Sequence, residues 1–113
     1  MKTSLTIVFF VICLGSFAQT QIEPKEKKML QKLAVQKTIE LQKELNLTLY
    51  TSRILEKTIY QYSVKANEVI QSNLSEKEKS KNLSNLVYFQ NQEFKKVLTV
   101  QQFYQYLELK NKY

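Results

Sequence analysis

The chain has 113 residues, with 17 Lys and Arg against 10 acidic residues and a net charge of +7, a length that fits one domain. It has no His, one Cys, and only Glu among its acids, which excludes the usual zinc and redox-metal ligand sets and the His-based nucleophilic triads. Gly15 is its only glycine and Pro24 its only proline, which disfavours tight hairpins, since these want positive φ, and rules out a glycine-rich phosphate loop.

In chain order, the first element is an export signal. Lys2 supplies the positive start, Leu5 to Leu14 is an almost unbroken apolar run, and Ser16 and Ala18 are the small residues before a cut ahead of Gln19. That is the layout of a cleavable secretory signal over residues 1–18. The run is about half the roughly 20 residues that a membrane-spanning helix needs. Cys13 lies within it and follows Ile12, where a lipid-modified cysteine would follow a small residue, so it reads as an apolar signal residue. Residues 19–113 then form one exported domain with no thiol and no disulfide, held by packing alone.

The first predicted helix starts at Pro24, a residue suited to the first helical position, and runs to about Leu45. Met29, Leu30, Leu33, Ala34, Leu41 and Leu45 give it an apolar stripe that Lys37 interrupts, so half exposure is expected. The second carries Leu55, Ile59, Tyr62, Ala66 and Val69 in alternating steps of four and three, widened by Ile70, a heptad-like seam. A corner at Asn73-Leu74-Ser75 follows, where Ser75 and Glu78 fit a capping box. The third helix has Leu83, Leu86, Val87, Phe94 and Val97, and Leu98-Thr99 ends it. A short fourth has Phe103, Tyr106 and Leu107 on one side. Period-two alternation is nearly absent, so the expected fold is all-α, about four helices in a compact or open antiparallel arrangement. A chain this small leaves part of the second-helix seam half covered, and an isologous homodimer is the expected way to bury it; the competing outcome is a closed monomeric bundle, with the first and third helices folded back over the seam.

The chemistry points away from catalysis. Glu76 and Glu78 are two apart on a helix and do not face each other, and no acid–base pair or cofactor site stands out. Nucleic acid is the reflex partner of a basic protein, but Arg53 is the only Arg, and Arg is the side chain suited to bidentate phosphate and base contacts. A solvated lysine surface is the simpler reading, with at most peripheral contact to anionic lipid. Among the seven tyrosines, Tyr62 falls on an apolar stripe with Phe94 and Phe103 and is expected in the core. Tyr50, Tyr60, Tyr88 and Tyr104 lie off the stripes, where amphipathic aromatics among lysines can form an adaptable binding surface. With Leu55, Ile59 and Tyr62 they make up the expected client-binding or dimer surface. The Asn-x-Ser/Thr triplets at Asn46, Asn73 and Asn82 read as accidents of composition.

One motif carries more. Leu98-Thr99-Val100-Gln101-Gln102 reads L-T-x-x-Q: Thr99 can cap the last helix, Gln102 can close the capping box, and Leu98 can pack on Phe103 as a hydrophobic staple. A second copy at Leu47-Thr48 has Thr51 in place of Gln. With the signal and the missing glycine, this pattern resembles the Spy/CpxP family of small, basic, all-helical periplasmic proteins. The resemblance implies a periplasmic location, a bent four-helix hairpin dimerising into a cradle, and ATP-independent chaperoning of unfolded or misfolded envelope proteins. The alternatives are a regulator that binds the outer domain of a membrane stress sensor, and a non-catalytic structural protein.

Overall fold

The computed structural model describes residues 23–112, so the expected signal over residues 1–18, with Cys13, lies outside the described residues. Four helices make up nearly all of them: α1 (Pro24–Leu45), α2 (Leu49–Gln71), α3 (Glu76–Val97) and α4 (Val100–Lys112). The fold is all-α, with no strand among the described residues.

Local chemistry sets each boundary. Pro24 opens α1 as its first residue, and Asn46 closes it in the left-handed conformation at φ 56°, ψ 51°. Asn is the residue after Gly that best tolerates that conformation. From there the amides of Asn46 and Leu47 both donate to the Gln42 carbonyl. Thr48 caps α2 by accepting from the Thr51 amide at 3.1 Å. Ser75 and Glu78 form the expected capping box at the start of α3. Thr99 and Gln102 form another at the start of α4, with reciprocal bonds of 3.0 and 3.1 Å.

Short corners make consecutive helices antiparallel. Gln71 at the end of α2 donates to Glu26 at the start of α1 at 2.9 Å, and Lys79 early in α3 donates to the Ile70 carbonyl at 2.8 Å. Tyr106 of α4 returns to Asn91 of α3 at 2.9 Å. Close backbone packing joins α1 to α2, α2 to α3, α3 to α4 and α4 to α1, while the diagonal pairs stay apart. This ring of neighbours is an up-down-up-down four-helix bundle.

The bundle is complete at one end only. Its core is Ala34, Leu41, Leu45, Leu47, Leu55, Ile59, Phe94, Leu98 and Tyr106, all but Ala34 at the middle of α1 from the half that holds the α1–α2 and α3–α4 corners. Phe94 and Leu55 are the largest fully buried side chains, each 1% exposed. The Phe94 ring meets Tyr106 edge to face, 4.9 Å between centroids and 67° between planes. Two buried hydroxyls, Thr38 and Ser52, donate within their own helices to the Ala34 and Thr48 carbonyls, so neither leaves an unmet donor. Towards the other end the seam opens: Tyr62, Ala66 and Val69 are half-buried and Ile70 is 54% exposed. The cause is length. α4 has 13 residues against 22 or 23 in its neighbours, which is about 20 Å of helix against about 34 Å.

This burial corrects one expectation. Leu55 and Ile59 are core residues of a single chain, so neither is available as a client-binding or dimer surface. α4 folds back over the corner end of the bundle and encloses the stretch of seam that they occupy.

Candidate functional site

Both copies of the Leu-Thr motif sit at the closed end of the bundle. Leu47 and Leu98 are buried in the same core cluster, and Phe103 packs against it. Thr48 and Thr99 are the caps of α2 and α4. Gln102 does more than close a box: its Oε1 accepts from the Thr99 amide at 3.0 Å, and its Nε2 donates to the Leu45 carbonyl at 3.4 Å. Leu45 is the last residue of α1, where carbonyls lack a helical partner. One side chain therefore ties the start of α4 to the end of α1. At the other copy, Thr51 is too short to do this and accepts a bond from the Thr48 hydroxyl at 3.1 Å. The motif residues Leu98, Thr99, Gln102, Leu47 and Thr48 thus form a corner, packed inward or capping a helix.

Beyond that corner lies a groove. Its walls are α1 and α3, its floor is α2, and α4 fills it at the closed end. Beside Tyr106 of α4, Leu33, Lys37 and Leu41 of α1, Ile59 and Ser63 of α2, and Gln90 and Phe94 of α3 line a depression of about 260 Å³. Further along, Ile70 faces Ser80, Leu83, Ser84 and Val87 across a shallower opening of about 460 Å³. Leu33 is 51% exposed and Val87 42%, so large apolar side chains stand uncovered on both walls. Beside the end of α4, Lys37 and Lys110 line one further hollow with Leu41, Val87 and Leu109. Burial, and then the charge of Lys37, hold the Lys110 amine below its ordinary pKa. At the inner end of the groove the Tyr106 phenol is pushed above its ordinary value by burial, less a smaller lowering by the Gln90 side chain.

The other expected surface residues are scattered. Tyr50, Tyr88 and Tyr104 are exposed on α2, α3 and α4, and none of the three rings stacks on another of them. Tyr60 is partly buried against the core, and Tyr62 is half-buried with Lys65 Nζ 4.8 Å above its ring. Tyr88 pairs edge to face with exposed Phe89 at 5.4 Å. The groove itself went unread in the sequence, although Lys37 inside an apolar stripe was its signal: Leu33 and Lys37 turn to the groove, while Ala34, Thr38, Leu41 and Leu45 are buried. Among the described residues, no three His, Cys, Asp or Glu side chains converge as a metal site, and no helix is long and apolar enough to cross a membrane.

Comparison with protein-family models, with curated proteins and with solved structures gives no match.

Proposed function

We propose that this chain is an exported, non-catalytic binding protein of the periplasm that holds unfolded or misfolded envelope proteins without ATP, a small stress chaperone of the Spy/CpxP kind. The observation that carries this reading is the half-built bundle. Met29, Leu33, Ile70 and Val87 stand exposed towards the end that α4 leaves uncovered, on helices whose polar faces are rich in Lys. Contiguous exposed apolar surface on a small protein marks an interaction site. A lysine-studded rim keeps such a surface soluble and adds weak, non-directional attraction to acidic segments. The Leu-Thr corner supports the same reading structurally, since it fixes the closed end of the bundle, opposite the open end of the groove.

The test is suppression of aggregation. The chain from Gln19, at equimolar to several-fold excess over a chemically denatured client and without nucleotide, should lower light scattering in proportion to its concentration. Scattering unchanged at the highest excess would reject the reading. A regulator that binds one sensor is the second reading, and the fixed dimensions of the groove favour it. Crosslinking in the envelope distinguishes the two, with many products for a chaperone and one for a regulator.

A further inference from the structure

We propose that the open half of the groove is a docking site for one acidic amphipathic helix of a partner protein, seated as the continuation of α4. The proposal rests on the chain being a binding protein, but not on its holding many clients.

The first argument is that the groove already holds a helix. α4 lies between α1 and α3, with Tyr106 against Phe94 and Leu109 beside Leu41. Lys110 and Lys37 line one hollow and α4 runs two residues on, to Lys112, so α1 continues over about Pro24–Ala34 past the level at which α4 ends. That is about 16 Å of wall, the length of a three-turn helix. The groove's apolar side chains there are Leu33, Ile70, Leu83 and Val87, with the small Ser63, Ser80 and Ser84 between them. A helix lays its apolar face into such a groove through anchors at i, i+3, i+4 and i+7.

The second argument is charge. Lys37 and Lys110 converge where the new helix would begin, and the two ion pairs found among the described residues involve neither. Lys25 and Lys32 are seven residues apart, hence on one side of α1, its outer face, and Lys77 lies on the first turns of α3. Of the acids of this half, Glu26 accepts from Gln71 at 2.9 Å, Glu76 lies 3.9 Å from Lys79 and Glu78 closes the Ser75 capping box, while Glu23 and Glu68 stand outside both ion pairs. Glu40 and Glu44 line the same hollow as Lys37 and Lys110, on its side towards the closed end. A helix with carboxylates flanking its apolar face would meet Lys37 and Lys110 where it begins and Lys77 along α3, and relieve the Lys37–Lys110 repulsion. A second copy of this chain would instead bring up the same net charge of +7, which complementarity disfavours.

The probe is a synthetic peptide of about 14 residues, four turns, with Leu at i, i+3, i+4, i+7 spacing and Glu on the flanks. One control carries Lys for Glu; another has the same composition with the periodicity scrambled. Binding to the full chain and to the chain from Gln19 is followed by fluorescence anisotropy, and helix content by circular dichroism. The acidic peptide should bind saturably and gain helicity, and each control should bind at least about tenfold more weakly. Lys37→Glu should weaken the acidic peptide and strengthen the lysine peptide. Leu33→Glu and Val87→Glu, at exposed positions where the fold tolerates charge, should abolish binding with the helical spectrum intact, whereas Tyr88→Glu on the outer face should not alter it. Equal binding of the scrambled peptide overturns the proposal in favour of an unfolded-chain surface. A concentration-dependent dimer lost in Leu33→Glu, without peptide binding, overturns it in favour of a second copy. Binding by the chain from Gln19 but not by the full chain overturns it in favour of the chain's own leading segment. Peptide failure with aggregation suppression retained removes this proposal alone, and failure of both removes the chaperone reading as well.

Discussion

Replacing Gln102 with Glu separates the two things its side chain does. A capping box takes Glu as readily as Gln, and a carboxylate in the first turn gains from the helix dipole. If Gln102 only capped α4, Gln102→Glu would be neutral or stabilising. In the structure, however, Nε2 donates to the Leu45 carbonyl at 3.4 Å while Oε1 accepts from Thr99. Glu keeps the second bond, loses the first, and points an anionic oxygen at a carbonyl. A net hydrogen bond contributes about 1 kcal/mol. Gln102→Ala, which loses both, should therefore cost about 1.5 kcal/mol once the longer bond is discounted, and Gln102→Glu about 1 kcal/mol near neutral pH. In urea, with a slope of about 1.2 kcal/mol per M for a small domain, 1 kcal/mol moves the midpoint down by about 0.8 M. The assay is urea unfolding followed by far-ultraviolet circular dichroism, repeated below the carboxylate pKa, where a protonated Glu regains a donor and the deficit should shrink. Gln102→Glu as stable as the parent chain at pH 7 would refute the tie between α4 and α1 and leave a plain cap.

Phe94→Ala removes the largest buried ring and its edge-to-face partner on Tyr106. It should cost about 3–5 kcal/mol, a large part of the roughly 5–13 kcal/mol expected for about 90 ordered residues, and urea unfolding should then start near zero denaturant. Ile59→Lys should unfold the chain rather than split a dimer, because Ile59 lies in the core of one copy; a folded Ile59→Lys monomer would contradict the bundle. Asn67 Nδ2 is buried without a partner while its Oδ1 accepts from Gln71 at 3.3 Å, so Asn67→Leu should raise thermal stability by about 1 kcal/mol; a loss of that size would place a bound water on the amide. Tyr106 has a folded-state pKa raised above 10.0 by burial, so its stabilisation is full below about pH 10 and lost as pH rises through the raised value. Stability measured from pH 9 to 12 should therefore fall less steeply in Tyr106→Phe than in the parent, and parallel curves would contradict the burial of the phenol.

Much of this architecture is written locally. The caps at Thr48, Ser75 and Thr99 follow from hydrogen bonds between residues three apart, which the sequence sets side by side. The four helices follow from apolar spacing and from the near absence of glycine and proline. The broken stripe of α1 also reads correctly, and its breaker Lys37 lines the groove. Thr38 and Ser52 were not legible as buried, because their polarity suggests surface, yet each satisfies its hydroxyl inside its own helix. Neither was the αL bend at Asn46 anticipated, although Asn just past the last apolar residue is its usual signal. The second-helix seam shows where local information ends. Leu55 and Ile59 have the same periodicity as Tyr62, Ala66 and Val69, yet the first pair is core and the rest is half open. Periodicity states which face of a helix is apolar, not what covers it. What covers it is α4, whose 13 residues dock on α1 and α3 through pairs such as Gln102 with Leu45, 57 positions apart in sequence. Contacts of that separation leave no trace in local spacing, so the sequence could indicate an apolar seam but only the tertiary structure decided that half of it is core and half is groove.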